Sequence, residues 1–176
     1  MQPRGYTLLE LLIALVLTGI LLSLGVPGLA WLALDARRTA DVNAFVTAIQ
    51  LARSESAKRS RPVVLCKTVD TEHCGGAQIQ YESGWMVFVD EDDDEPPRRD
   101  PDETLLLHYL PVNEGSIRSN RAHYVFRPYF KRSTNGTVVF CDRRGADAAR
   151  AVIVSYTGRP RVAGTGASGQ PLVCAH

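Results

Sequence analysis

Three groups of side chains in this sequence are equipped for chemistry, each of a different kind. Glu10 is a lone carboxylate at the start of a long apolar run. Near a bilayer centre such a group costs roughly 3 kcal/mol on insertion scales, and less near an end, so its charge needs a partner. If the chain were cut after Gly5, the new amine of Tyr6 would lie one helical turn before Glu10, able to neutralise it within one helix or from a neighbouring copy. Arg159 and Arg161 flank Pro160, whose fixed backbone favours an extended chain that splays the two guanidinium groups outward. Paired arginines on an adaptable loop suit phosphate oxygens without reading bases, and equally suit contacts with a neighbouring protein surface. Lys131, Arg132, Arg143 and Arg144 would enlarge this footprint if the fold gathered them. The third group is Cys66, Cys74, Cys141 and Cys174, an even number lying outside the apolar run. Behind a membrane-directed segment such cysteines are expected to form disulfides. Three pairings are possible; 66–74 with 141–174 is preferred, because the first closes a short loop and the second pins a Gly-rich tail to a strand.

Other chemistry is poorly supported. Cys66 and Cys74 are too far apart for a compact zinc knuckle, and the four histidines form no ligand-spaced group. The acidic run Asp90 to Glu95 lacks the turn glycine and the distal bidentate glutamate of a hand-like calcium loop, so it reads as a solvated loop. Ser83 has no nucleophile-elbow context, and no opposed carboxylate pair or acid–base histidine emerges, so neither enzyme activity nor a cofactor is expected.

The charge is nearly balanced, 20 basic against 19 acidic side chains, but it is polarised along the chain. Residues 1–95 hold 8 basic and 13 acidic groups, and residues 96–176 hold 12 and 6. All but Lys131 of the second set of basic residues are arginines, which favours an anionic partner.

The elements that must position these groups begin with a helix. Leu11 to Leu34 carries no charge and is long enough to cross a hydrocarbon core of ~30 Å. Arg4 ahead of it favours a cytoplasmic amino terminus with the remainder across the membrane. A cleaved secretory signal is the alternative, but Glu10 and the length of the run count against it. Gly25, Pro27 and Gly28 predict a kink or local melting. From Asp35 the helical period continues: Val42, Phe45, Val46, Ile49 and Ala52 form an apolar stripe, with Arg37, Arg38, Asp41, Arg53 and Glu55 as the polar surround. Pro62 ends the helix near Arg61. A helix over 7–61 would be ~80 Å long, so its second half must cover something soluble, most economically the chain's own sheet. Strands are expected at 62–67, 77–81, 85–90, 104–110, 123–127, 137–141 and 151–156, with Asn135-Gly136 as a turn. Trp85, Phe88, Phe126, Phe140 and Tyr156 read as core or sheet-surface residues in preference to a base-stacking platform.

The segment GYTLLELLIALVLTGIL, residues 5–21, resembles the signal of type IV pilins and pseudopilins, with Gly5 at the processing glycine, Glu10 at the assembly glutamate and Pro27 at the helix-breaking proline. Tyr6 stands where many members carry phenylalanine. RPVVLCK (61–67), GWMVFVD (84–90), NGTVVFCD (135–142) and AVIVSYTGRPR (151–161) resemble the minor pilin and pseudopilin group called FimT, FimU or GspH. The resemblance implies an α+β pilin-like fold: a leader at 1–5, a transmembrane assembly helix at 6–34, its amphipathic continuation at 35–61 and a β-rich head at 62–176. It implies cleavage after Gly5 and N-methylation of Tyr6 by a prepilin peptidase, and residence in the bacterial inner membrane with the head in the periplasm. It also implies assembly with other major and minor pilins or pseudopilins, at or near a fibre tip. Two further roles follow from the same group: DNA capture in natural transformation, for which Arg159 and Arg161 match a GRxR motif, and service as the H-type pseudopilin of type II secretion.

Overall fold

The computed structural model describes residues 7–112, 114–128 and 132–174, with backbone alone at 24–27. Gly5, Tyr6 and Lys131 lie outside these residues. The chain divides into two units, Met1–Ala36 and Arg37–His176. One helix, α1 (Leu8–Arg59), contributes to both.

In the first unit, Thr7 caps α1: its Oγ1 accepts the Glu10 N–H at 3.3 Å, and its carbonyl accepts the Leu11 N–H. The helix is unbroken through Gly25 and Pro27, so of the kink or local melting expected there the melting does not occur. Gly25, Val26 and Gly28 beside Pro27 are weak helix formers, so it is the leucine- and alanine-rich turns further out on both sides that carry the helix past the one donor that proline lacks. The hydroxyls in the apolar run are satisfied internally, Thr18 Oγ1 donating to the Ala14 carbonyl and Ser23 Oγ to that of Ile20. By length and composition this helix suffices to cross a membrane.

The second unit has its own core. Among the described residues, eight strands make two antiparallel sheets. The first has the order β3 (Leu105–Tyr109), β2 (Trp85–Val89), β1 (Val63–Lys67), β5 (His123–Phe126). The second has the order β4 (Ile117–Ser119), β6 (Gly136–Phe140), β7 (Arg150–Val154), β8 (Pro160–Ala163). Val42, Phe45, Ala48, Ile49 and Ala52 of α1 are buried against both sheets. Phe45 is the pivot: its ring meets Tyr81, Trp85, Tyr124 and Phe140 edge-on at centroid distances of 5.3–6.2 Å. Trp85, Phe88, Phe126 and Phe140 are core residues; Tyr156 is exposed. α1 stops where Ser60 turns left-handed (φ 57°), ahead of Pro62. The Ser56 hydroxyl bonds the Arg61 and Phe126 carbonyls, tying the helix end to β5.

Several expectations need correction. Residues 77–81 form no strand: Ile79 and Ser83 donate three residues back, and a short 3-10 turn, Tyr81–Ser83, drops Tyr81 into the core. Strands β4 and β8 were not anticipated. Arg38 and Asp41, read as part of the polar surround, are buried. Arg38 donates to the Ala148 carbonyl and lies 3.7 Å from Asp142, which Arg144 clasps at 2.6 Å. Asp41 accepts from the Tyr109 hydroxyl and the Val112 N–H, both at 2.9 Å. Burial and the Asp41 carboxylate push the Tyr109 phenol up to about 12.

Disulfides join Cys66 to Cys74 and Cys141 to Cys174. The second closes 33 residues and fastens the tail beside Leu172 to the end of β6, a restraint worth ~2–4 kcal/mol.

Candidate functional site

The amino-terminal segment presents apolar side chains around its full circumference. Leu8 is 81% exposed, Ile13 51% and Leu22 59%, with Glu10 the one charged group among the described residues of this stretch. A surface of this kind is stable only in lipid or against other apolar helices.

The second unit carries a basic cleft of about 460 Å³, lined chiefly by Arg53, Arg127, Arg132, Ser133, Tyr156 and Arg159. Its floor is fixed by the β7–β8 turn. Gly158 donates to the Ser155 carbonyl at 2.8 Å with φ +70°, and Ser155 and Arg159 close the turn through backbone and side-chain bonds. A Cβ at Gly158 would lie 3.0 Å from the Phe126 ring and 3.1 Å from the Arg53 stem, so glycine is required by conformation and by packing together. Arg53 reaches the cleft from α1, with Phe126 and Arg127 arriving at the end of β5. The Arg132 guanidinium lies 5.4 Å above the Tyr156 ring, a contact that orients the cation without neutralising it. Arg127 is paired with Asp93 at 3.1 Å. Among the described residues no carboxylate pairs with Arg53, Arg132 or Arg159. Three uncompensated guanidinium groups beside two hydroxyls, Ser133 and Thr157, make a site for an anion with several oxygens.

The fold gathers only part of the residues expected here. Arg159 and Arg132 line the cleft. Arg161 sits on β8 opposite Ile153, which packs on the sheet face bearing Cys141 and Ala151, so it does not line the cleft. Arg143 and Arg144 follow the far end of β6, about 14 Å along the strand from Gly136, and Arg144 is occupied by Asp142. Arg53 and Arg127 were not anticipated as site residues. Their convergence depends on helix–sheet packing that local periodicity does not encode.

An anchor-length apolar helix that continues into the core of two antiparallel sheets defines a non-enzymatic, pilin-like α+β protein. The chain belongs to the family described as type II transport protein GspH, which matches residues 41–158; the prokaryotic N-terminal methylation motif matches residues 1–26. The fold is similar to that of the type IV minor pilin FimU of Pseudomonas aeruginosa in two crystal forms. In one the TM-score is 0.51 at 16% identity, covering 78% of this chain and 98% of that one. In the other the values are 0.52, 17%, 81% and 96%. No curated protein sequence matches the chain.

Proposed function

We propose that this chain is a minor pilin or pseudopilin that enters a type IV pilus-like fibre through its amino-terminal helix, at or near the tip. A prepilin peptidase cuts after Gly5 and methylates the Tyr6 amine. Residues 6–34 then hold the chain in the bacterial inner membrane, with the head in the periplasm, until it joins other pilins or pseudopilins. The observation that carries this reading is the exposed apolar first part of α1 with one carboxylate, Glu10, one turn beyond the proposed cut. Recovery of the chain in sheared, purified fibres supports it; confinement to the membrane fraction in cells that make those fibres contradicts it. Loss of secretion, with pili intact, when the gene is deleted would identify the fibre as a type II secretion pseudopilus, the role that the family match favours.

The arginine cleft favours a second role, capture of double-stranded DNA by the phosphate backbone. Two or three phosphate contacts predict binding that falls roughly 10- to 40-fold between 50 and 200 mM salt. With the full chain in detergent, joint Arg132→Gln and Arg159→Gln substitution should lower the salt slope by about 2. Arg143→Gln, at the far end of the sheet, should change it little. Absence of binding at low salt, or equal loss with Arg143→Gln, would leave the cleft as a contact for neighbouring subunits.

A further inference from the structure

The connection between β2 and β3 holds a carboxylate cluster that the acidic run alone did not reveal. Asp90 is fully buried at the end of β2, its N–H bonded to the Pro62 carbonyl at 3.0 Å. Its Oδ1 accepts the Asp93 N–H at 2.8 Å. Its Oδ2 is buried and has no hydrogen-bond donor. Facing it are Asp92, exposed at the loop surface, and Glu103, which is 5% exposed and returns from the far end of the connection. One carboxylate oxygen from each of the three lies within 4.8 Å of the others. Glu103 is fixed by the Glu91 N–H at 2.7 Å and the Asp100 N–H at 3.0 Å, so the loop backbone holds the cluster in place. Among the described residues no basic side chain pairs with any of the three carboxylates; Arg99 Nη2 donates to the Glu103 backbone carbonyl at 3.1 Å.

We infer that Asp90, Asp92 and Glu103 bind one calcium ion, which cross-links the two ends of the β2–β3 connection. A buried oxygen without a donor, next to two further carboxylates, leaves a deficit of positive charge that hydrogen bonds from the loop do not meet. A hard cation with oxygen ligands fills it. Oxygens at 2.3–2.6 Å from one calcium ion can lie up to about 5 Å apart, whereas the shorter, stricter octahedral shell of magnesium holds them closer. Water completes the shell on the exposed Asp92 side. The site is no hand-like loop: its third ligand comes from the opposite end of the connection. Calcium would also steady Asp93, and through it Arg127 at the rim of the arginine cleft.

The test is thermal unfolding and calorimetric titration of the full chain in detergent, stripped with a chelator and supplied with CaCl2 or MgCl2. Calcium should bind with one site per chain at a Kd near 10⁻⁴–10⁻³ M, as in extracellular modules. It should raise the melting temperature and slow proteolysis within residues 91–103, and magnesium should do so at least tenfold less effectively. Asp92→Asn, an exposed change that leaves the fold intact, should weaken calcium binding at least tenfold. Asp90→Asn should abolish the response while leaving the calcium-free protein no less stable. No calcium response at 10 mM, an equal response to magnesium, or full binding by folded Asp92→Asn and Asp90→Asn chains would overturn the inference.

Discussion

Glu10→Leu is expected to leave membrane insertion intact and to lower recovery in purified fibres by about a hundredfold. The reasoning is electrostatic. A fibre built by stacking apolar helices places the amine of one subunit where it can meet a carboxylate of the next. Without Glu10 that ammonium has no partner in lipid, at a cost of ~2.5–3.5 kcal/mol on insertion scales, roughly a hundredfold in population. Insertion itself should improve, since a charge is removed from the apolar run. Glu10 also occupies the third helical position after the Thr7 cap, where it favours the helix start electrostatically. Glu10→Gln separates the two roles: it keeps the helix and its cap but removes the charge, and should fail as Leu does. Thr7→Ala weakens the cap by ~1 kcal/mol and keeps the charge, so it should still be incorporated. Fibre recovery measured against the membrane-bound pool reads all three variants. Normal incorporation of Glu10→Gln would remove the charge from the assembly mechanism.

Asp142→Ala is expected to destabilise the head by roughly 3–5 kcal/mol, the usual cost of breaking a buried ion pair by removing one member. Asp142 is clasped by Arg144 and faces Arg38, and the side chains of Arg38 and Asp142 are 4% and 1% exposed. Because Arg38 lies on α1 and Asp142 just after β6, the pair also secures the helix to the second sheet. The melting temperature of the chain in detergent should fall by about 10–15 °C. A pH signature accompanies it. The Arg144 hydrogen bonds, aided by the Arg38 charge, hold Asp142 below its ordinary value of 3.8. A depressed folded-state value means the stabilisation is fully present above about pH 4 and is lost as pH falls through the folded value. Wild type should therefore lose more stability than Asp142→Asn between pH 4 and pH 2. Parallel pH profiles would show that the network contributes packing alone.

Sequence and structure agree where a local pattern carries the information. The uncharged run from Leu11 marks the anchor helix, and alternating or continuous β-branched residues mark β1, β2, β6 and β7. Phe45, Ile49 and Ala52 repeat at helical spacing because one face must cover the sheets. β4 was not legible: it is three residues long, with only Ile117 buried. β8 begins at Pro160 and carries Arg161, features that an edge strand accepts and a central strand does not. Arg38 and Asp41 look like solvated helix residues because their partners, Asp142, Ala148 and Tyr109, are remote in sequence. The arginine cleft was half visible: Arg159 and Arg132 both belong to the arginine footprint expected from the sequence, but Arg53 and Arg127 join them only through the packing of α1 and β5. Arg143 and Arg144 lie between those two in sequence and yet belong to the other end of the sheet, since β6 runs the chain away from the cleft. Glu103 escaped notice for the converse reason, joining Asp90 and Asp92 across the width of a loop.

The central claim is that a newly exposed amine at Tyr6 balances Glu10, and the terminal mass of the chain tests it most directly. Peptide mass spectrometry of the protein extracted from bacterial inner membranes should find an amino terminus at Tyr6 bearing one methyl group. A terminus at Met1, or one within the apolar run beyond Glu10, would contradict the account.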